Sequence, residues 1–366
     1  MCERVASSIQ AASRSTSAQP APRTSNHLAL ERALDGSARA DAPTRQVAPP
    51  TLDRVLNDLK NRAILGAFKG GTLVAAKSPR IVGQSVASVA GRGSSLLPGE
   101  RRVIVARNLR RIYGRELGPL EREQKIQETF ASYARYYYDS FRLTGMSLAE
   151  VERGFTVEGI EHLEAAMEED EVGPILALPH LGGWEWAAYW ITQIRQWGLA
   201  AVVEKLDPPE LFDWFLEFRQ SLGMNIIPLG PTAAHEVAMA AANKEIVCLL
   251  CDRDIGGGGV PVTFFGEQTT LPAGPAVLAL RGGCRVLPTA VYFSPKGVHG
   301  VILAPIEIER TPGATSIRSD VPIFMQALAT QLEVLIRRAP EQWHLLQPNW
   351  PSDYRALGKQ VPGAQP

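Results

Sequence analysis

Two adjoining segments, Pro174-Ile-Leu-Ala-Leu-Pro179 and His180-Leu-Gly-Gly-Trp-Glu185, determine how this chain is interpreted. A short apolar run between prolines is typical of a buried β-strand. The two glycines that follow allow a sharp backbone turn, and a helix is expected to start near Trp184. His180 therefore stands at the carboxyl end of a strand, where open α/β sheets carry their ligands and their chemistry.

Apolar strand patterns alternate with helical patterns along the chain after Phe155. The predicted strands are Pro174–Pro179, Ala200–Glu204, Asn225–Leu229, Ile246–Cys251, Val260–Phe264, Arg285–Phe293 and Val301–Glu307. The predicted helices among and after them are Trp184–Trp197, Pro209–Leu222, Ala233–Asn243, Gly274–Arg281 and Val321–Arg338. This alternation predicts an α/β fold with a mostly parallel central sheet flanked by helices.

Three regions differ in composition. Residues 1–50 are rich in Ala, Ser, Pro and Arg without an apolar period, which predicts a disordered tail or linker. Residues 51–145 are expected to form basic helices that associate with a membrane, and residues 146–366 the α/β core. We expect residues 51–366 to form one folded unit.

The charge of the chain is unevenly distributed although its formal total is zero. Residues 53–116 contain thirteen Lys and Arg against four Asp and Glu. A neutral total argues against a general nucleic-acid-binding protein, and no apolar run here reaches the ~18 residues that a spanning helix needs. The segment predicts interfacial helices on an anionic membrane surface; the alternative is the solvated face of an ordinary enzyme.

The four cysteines do not predict a metal site. Cys248 and Cys251 resemble a C-x-x-C motif but lie within a predicted strand. Positions three apart in a strand face opposite sides, so these thiols are expected to be buried core groups rather than joint ligands of one ion.

A second polar cluster, Asp252-Arg253-Asp254, follows the strand that ends at Cys251 and precedes a run of four glycines. If this strand neighbours that of His180, both clusters meet at one sheet edge, with the glycine run as a mobile flap. The alternative is a salt-bridged loop in which Arg253 neutralises both acids. Three of the other histidines, His235, His299 and His344, lack such a context and are expected to be incidental.

Seven motifs together resemble the lipid A late-acyltransferase superfamily, and most closely the actinobacterial phosphatidylinositol mannoside acyltransferases. They occur in the order His180-Leu-Gly-Gly-Trp-Glu185, Val203-Glu-Lys-Leu206, Phe218-Arg-Gln-Ser-Leu-Gly-Met224, Cys251-Asp-Arg-Asp254, Phe264-Phe-Gly266, Leu271-Pro-Ala-Gly-Pro275 and Leu287-Pro-Thr289. The resemblance extends over about residues 52–351 and implies a glycerolipid-acyltransferase-like fold.

The resemblance implies transfer of a fatty acyl chain from acyl-CoA to a glycolipid hydroxyl without a covalent acyl-enzyme. His180 would be the general base, and either Glu185 or Asp252 would orient its ring. Backbone amides of Gly182 and Gly183 are candidate donors to the thioester oxyanion.

The remaining expectations concern substrates and location. Glu204 and Arg219 match family positions at the acceptor site, and Arg253 and Asp254 are expected to contact substrate as well. No cofactor is expected, because acyl-CoA is a co-substrate. The expected location is the cytoplasmic face of the cell membrane, as a peripheral protein.

The sequence can be compared with three alternative functions. A serine hydrolase would need a Gly-X-Ser-X-Gly elbow, which this sequence does not contain. An enzyme acting on glycerol phosphate or another lysophospholipid should carry an acid in its phosphate-site motif, where Leu271-Pro-Ala-Gly274 has Ala273. The third alternative is a catalytically silent lipid-binding protein, which would have no need of His180, Glu185 and Asp252 together.

Overall fold

The computed structural model describes residues 52–308, 310–312 and 316–362. The predicted tail, residues 1–50, and Cys2 within it lie outside the described residues. The described chain begins with four helices, continues as an alternation of strands and helices, and ends in a segment that crosses the sheet edge.

Twelve α-helices occur among the described residues. They are α1 (Leu52–Lys77), α2 (Arg80–Ser95), α3 (Glu100–Tyr113), α4 (Pro119–Arg142), α5 (Leu148–Arg153), α6 (Ile160–Glu169), α7 (Trp184–Gln193), α8 (Pro209–Ser221), α9 (Ala233–Ala242), α10 (Gly274–Gly282), α11 (Asp320–Arg338) and α12 (Pro351–Ala356).

Nine strands form two sheets in the same part of the chain. They are β1 (Phe155–Glu158), β2 (Ile175–Leu178), β3 (Leu199–Val203), β4 (Asn225–Pro228), β5 (Ile246–Leu250), β6 (Val260–Phe264), β7 (Glu267–Leu271), β8 (Val286–Phe293) and β9 (Val298–Ile302). Seven strands form the central sheet in the order β1-β9-β8-β2-β5-β3-β4, and β6 pairs with β7 as a separate hairpin.

The central sheet is mostly parallel, as the sequence predicts. Strands β8, β2, β5, β3 and β4 run in one direction, while β9 is antiparallel to β8 and β1 is parallel to β9. The carboxyl ends of β2 and β5 therefore lie side by side, with Leu178 opposite Leu250. This register brings the residues after the two strands together, as expected.

Apolar side chains cover both faces of the sheet. One face packs against α9, α10, α11 and the β6–β7 hairpin, and the other against α6, α7 and α8. Cys251 belongs to the first cluster and Cys248 to the second, so the two thiols are buried on opposite faces, as predicted. Burial raises the pKa of Cys248 to about 12, which leaves this thiol protonated at neutral pH.

Some predicted boundaries are wrong. The strand predicted at 301–307 lies at Val298–Ile302, and Val260–Phe264 belongs to the hairpin instead of the central sheet. Strands β1 and β7 were not predicted, because both carry polar residues that interrupt an apolar run. Helix α5 has only six residues, but Ser147 and Glu150 form a capping box at its start.

Residues 63–90, which are mostly small or apolar, lie in two helices, α1 and α2, within the region predicted to be helical. Helix α2 packs along α4 through small residues. A Cβ atom at Gly91 would lie 2.5 Å from the carbonyl oxygen of Phe130, and one at Gly83 would lie 2.1 Å from the ring of Tyr138. Glycine is therefore needed at position 91, where the neighbouring atoms are backbone, whereas a larger residue at position 83 would displace the Tyr138 ring.

Candidate active site

The imidazole of His180 is bound by the buried carboxylate of Asp252 at the adjoining ends of β2 and β5. The distance from His180 Nδ1 to Asp252 Oδ1 is 2.6 Å. The second carboxylate oxygen accepts from the His180 backbone amide at 2.9 Å and from the Trp343 indole at 2.7 Å. Asp252 is fully buried, whereas 32% of the His180 side chain is exposed. The pair thus has a fixed inner end and an accessible outer end.

The surroundings of Asp252 keep it ionised. Burial alone would raise its pKa, but the charge of His180 and the hydrogen bonds from His180 and Trp343 outweigh burial and lower the pKa below the ordinary value. An ionised carboxylate can only accept hydrogen bonds, so Nδ1 of His180 carries the proton. In the neutral ring, Nε2 then holds the lone pair and is the nitrogen that can take a proton from a substrate.

Gly182 allows the turn between β2 and α7 to pass close to the sheet. Its φ is +60°, and a Cβ atom would lie 1.7 Å from the carbonyl oxygen of Val291. Its amide donates to the carbonyl of Gln342 at 3.1 Å. The Gly182 amide is therefore not available to an oxyanion. The candidate donors are the Gly183 amide and the first amides of α7.

Glu185 does not bind the imidazole of His180 but belongs to a second buried cluster. Its carboxylate accepts from Tyr136 at 2.6 Å and pairs with Arg219 at 3.1 Å. Ser140 lies at 3.4 Å from its second oxygen. Of the two candidate acids, Asp252 is the one that holds the ring, and Glu185 fixes the start of α7 to α4 and α8.

The Glu185 cluster has shifted protonation equilibria. Burial, reinforced by the nearby Glu185 carboxylate, holds the pKa of Tyr136 well above its ordinary value. Burial would lower the pKa of Arg219, but Glu185 and Tyr136 more than compensate and raise it. The guanidinium also lies over the Trp184 ring, 5.2 Å from its centroid. Arg219 therefore remains charged and is largely committed to protein partners.

Glu204 and Arg253 form a pair at the same sheet edge. Glu204 follows β3, Arg253 follows Asp252, and their side chains are 3.3 Å apart. The Glu204 side chain is 46% exposed and can still meet a ligand. The alternative in which Arg253 neutralises both neighbouring acids is not what the structure shows, because this guanidinium turns to Glu204.

Asp254 organises the glycine loop. Its carboxylate accepts from the amides of Gly256, Gly257 and Gly259 and from the Thr270 hydroxyl. Both oxygens thus accept hydrogen bonds that hold the loop, and the expected contact of Asp254 with substrate stays a prediction. These bonds also tie the loop down, contrary to the interpretation as a mobile flap.

The sequence interpretation missed the contribution of the C-terminal segment to this site. Trp343 contacts Asp252, and the amide of His344 donates to the His180 carbonyl at 2.7 Å. Ser132 hydrogen-bonds Nε2 of His344 at 2.9 Å. Burial, with the nearby His180, lowers the pKa of His344 to about 3, so this ring is neutral. The signal available in the sequence was the presence of two large aromatic residues, Trp343 and Trp350, close to the end of the chain. Both are buried in the structure.

An apolar cavity lies between α7 and the sheet, immediately behind the site. Leu178 and Trp184, which flank the His180 turn in the sequence, are part of its wall. Thr289 is the one polar side chain among the residues that line it. Its walls match a hydrocarbon chain in polarity, but its volume of about 30 Å³ is too small to hold an acyl chain unless the walls move apart.

Comparison with known proteins places this geometry in a family. A family model described as bacterial lipid A biosynthesis acyltransferase matches residues 65–352. The chain belongs to this acyltransferase family. The family resemblance predicted from the seven motifs is thereby confirmed, and the α/β sheet with its flanking helices is consistent with it.

Two relatives illustrate the similarity. The phosphatidylinositol mannoside acyltransferase of Mycolicibacterium smegmatis is 35% identical over 292 residues, covering 79% of this chain and 91% of the relative. The protein of the same name from Mycobacterium tuberculosis is 38% identical over 227 residues, covering 61% of this chain and 69% of the relative.

Proposed function

We propose that this acyltransferase moves a fatty acyl chain from acyl-CoA to a hydroxyl of a phosphatidylinositol mannoside, with His180 as general base. The observation that carries the proposal is the His180–Asp252 pair, whose carboxylate is buried and whose ring is partly exposed. The acceptor class rests on the names of the two relatives. A neutral imidazole is a suitable group to take the proton of a hydroxyl.

The proton and the electrons balance in a direct transfer. Nε2 of His180 takes the hydroxyl proton while the acceptor oxygen attacks the thioester carbonyl carbon. The tetrahedral oxyanion collapses, the carbon–sulfur bond breaks, and the thiolate of CoA receives the proton from the imidazolium. Asp252 stabilises the imidazolium between these two steps, and the Gly183 amide is the proposed donor to the oxyanion.

The surroundings of the pair suggest where the two substrates bind. The acyl chain would enter beside Leu178 and Trp184, where the apolar walls of the small cavity would have to move apart to admit it. The exposed carboxylate of Glu204 would bind sugar hydroxyls of the acceptor, with Arg253 holding it in place. No step of this reaction calls for a metal or another cofactor.

Helix α2 suggests a membrane-binding surface. Its large apolar side chains Ile81, Val82, Val86 and Val89 are all more than half exposed. At 100° per residue they occupy one arc of about 140°, while the small buried residues Gly83, Gly91 and Ser95 face the opposite way, toward the protein. A helix that turns aliphatic residues outward and glycines inward favours a lipid surface over water.

Positive charge accompanies this apolar surface. Basic residues between positions 53 and 116 would attract anionic headgroups, apart from Arg107 and Arg111, which pair with the buried Asp353. None of the helices in the described residues combines the length and the apolarity needed to span a bilayer. We place the protein peripherally on the cytoplasmic face of the cell membrane, where acyl-CoA is at hand.

The proposal is tested with purified protein, labelled acyl-CoA and vesicles that contain a mannosylated phosphatidylinositol. We expect labelled acyl chains on that lipid. Vesicles that contain lysophosphatidic acid in its place serve as the control acceptor. Transfer to the control alone would reject the acceptor class, and neither hydrolysis nor transfer would favour a silent lipid-binding protein.

A further inference from the structure

The segment from Gln342 to Asp353, here called the strap, is bonded along the backbone to the turn that carries His180. Trp343 forms a β-bridge with Leu181. The Gln342 carbonyl accepts from Gly182 at 3.1 Å, and the His344 amide donates to the His180 carbonyl at 2.7 Å. The strap therefore holds the main chain on both sides of His180.

The strap also holds Asp252. The Trp343 indole donates to Oδ2 at 2.7 Å, and the Asn349 side-chain amide donates to the backbone carbonyl of Asp252 at 2.9 Å. Trp343 is 3% exposed, so its N–H has no access to water that could replace the carboxylate. Because Oδ2 is held in this way, Oδ1 is left to point at Nδ1 of His180.

The far end of the strap is anchored on the basic helix α3. Asp353 is fully buried and pairs with Arg107 at 2.6 Å and with Arg111 at 2.7 Å. Arg111 also lies 4.0 Å from the centroid of the Trp350 ring, and Asn108 donates to the Leu345 carbonyl at 2.8 Å. Charged, buried contacts of this kind fix a segment in one position when all partners are present.

We propose that Trp343 is a positioning residue for acyl transfer and that its indole N–H aligns Asp252 so that His180 keeps its proton on Nδ1. The inference rests on the proposed roles of His180 and Asp252. Without the N–H, the carboxylate can rotate away from the ring, and the imidazole can adopt the other tautomer, in which Nε2 is protonated and cannot accept a proton.

The test compares Trp343→Phe with Trp350→Phe in the full-length protein. Trp350 is an equally buried indole in the same strap, but it donates to the Phe264 carbonyl, at 3.2 Å, instead of to the pair. We expect Trp343→Phe to lower kcat for acyl transfer by about 10- to 100-fold with KM changed less than about twofold. Trp350→Phe should keep kcat within about twofold of the wild type.

A spectroscopic readout separates positioning from general loss of structure. Spectra of ¹⁵N-histidine-labelled protein, with the His180 signal assigned by its loss in His180→Gln, report which ring nitrogen is protonated. We expect the Nδ1-protonated form in the wild type and in Trp350→Phe, and a mixture of tautomers in Trp343→Phe. This comparison needs no substrate, so it decides the inference even if the wild type transfers no acyl chain to the proposed acceptor.

Two results would overturn the inference. One is a Trp343→Phe protein with the kcat and the His180 tautomer of the wild type. The other is an equal change in both variants, which would assign the effect to the strap as a whole. Should Trp343→Phe not fold, the indole N–H resonance of Trp343 in the wild type serves instead. The chemical shift of the Trp343 indole N–H must change in Asp252→Asn, while that of the Trp350 indole N–H must not. An unchanged Trp343 resonance would also overturn the inference.

Discussion

Two buried carboxylates, Asp252 and Glu185, hold partners of different kinds. Asp252 binds a titratable imidazole that is partly exposed, and Glu185 binds the guanidinium of Arg219, which stays charged. The first arrangement can exchange a proton with a substrate, whereas the second ties α7 to its neighbours. The segment His180-Leu-Gly-Gly-Trp-Glu185 thus joins the proposed general base to an acid that anchors α7.

Substituting Asp252 should mainly lower turnover, whereas substituting Glu185 should mainly lower stability. Asp252→Asn removes the charge that stabilises the imidazolium and can favour the wrong tautomer, so we expect turnover to fall by about 10²–10⁴-fold. Glu185→Gln leaves buried Arg219 without its counter-charge and should lower the free energy of unfolding by about 3–5 kcal/mol. Turnover of its folded fraction should fall less than about tenfold. Steady-state transfer and urea denaturation measure the two quantities, and the reverse pattern would contradict this assignment.

His344 should make stability depend on pH. Its pKa is about 3 in the folded protein because the ring is buried beside His180, whereas an unfolded histidine has a pKa of ~6.5. The stabilising contribution is therefore complete above the unfolded value and is lost as the pH falls toward 3. Between pH 7 and pH 5 the wild type should lose about 2 kcal/mol through this residue.

Urea denaturation of His344→Gln at the two pH values checks this. The variant should lack that share of the pH dependence, while the exposed His235→Gln control should keep it. If the stability of His344→Gln depended on pH as that of the wild type does, the His344 ring would be protonated in the folded protein at pH 5.

Among the helices, α2 has the least usual distribution of side chains. Gly83 and Gly91 contact α4, and the large aliphatic residues face outward. In solution the aliphatic side chains of this face are in contact with water. Binding to lipid would bury them, which is favourable. One face of α2 therefore packs against the protein, and the opposite face is the proposed membrane contact.

The outward face of α2 can be tested by charge. Val86 is 64% exposed and Val89 71% exposed, so replacing both with Asp should hardly change stability. We expect at least tenfold weaker binding to vesicles of anionic lipid, since each valine contributes about 1.5 kcal/mol when buried and the added charges are repelled. Vesicle co-sedimentation measures the binding, which should also weaken with salt. Ile323→Asp, on the half-exposed face of α11, is the control, and equal binding of all three proteins would exclude α2.

The sequence predicts the central elements better than the site contacts. Strands β2 and β5 are short apolar runs, so their burial and their adjacency in a parallel sheet follow from pattern. The partner of Glu185 could not be predicted, because Arg219 comes from a helix 34 positions away. Nor could Trp343 be placed, since its contact with Asp252 spans 91 positions and depends on where the strap crosses the sheet. Polar strands such as β7 carry too little periodicity to be recognised.

Across the whole molecule, distant parts of the chain converge on one sheet edge. Strands β2 and β5 supply His180 and Asp252, α4 and α8 secure the helix that follows His180, and the strap connects the pair to α3. The basic N-terminal helices and the α/β core are thus joined by buried contacts around the site. Such an arrangement would keep the pair close to the membrane that holds its acceptor.

Acyl transfer by His180→Ala tests the proposed chemistry most directly. The side chain lies at the edge of the sheet and is 32% exposed, so the variant should fold, with an unfolding transition lowered because the buried Asp252 loses its imidazole partner. We expect the rate of transfer from acyl-CoA to a mannosylated phosphatidylinositol to fall by about 10²–10⁴-fold, with vesicle binding unchanged. A folded His180→Ala protein that transfers acyl chains at the wild-type rate would contradict the assignment of His180 as the base.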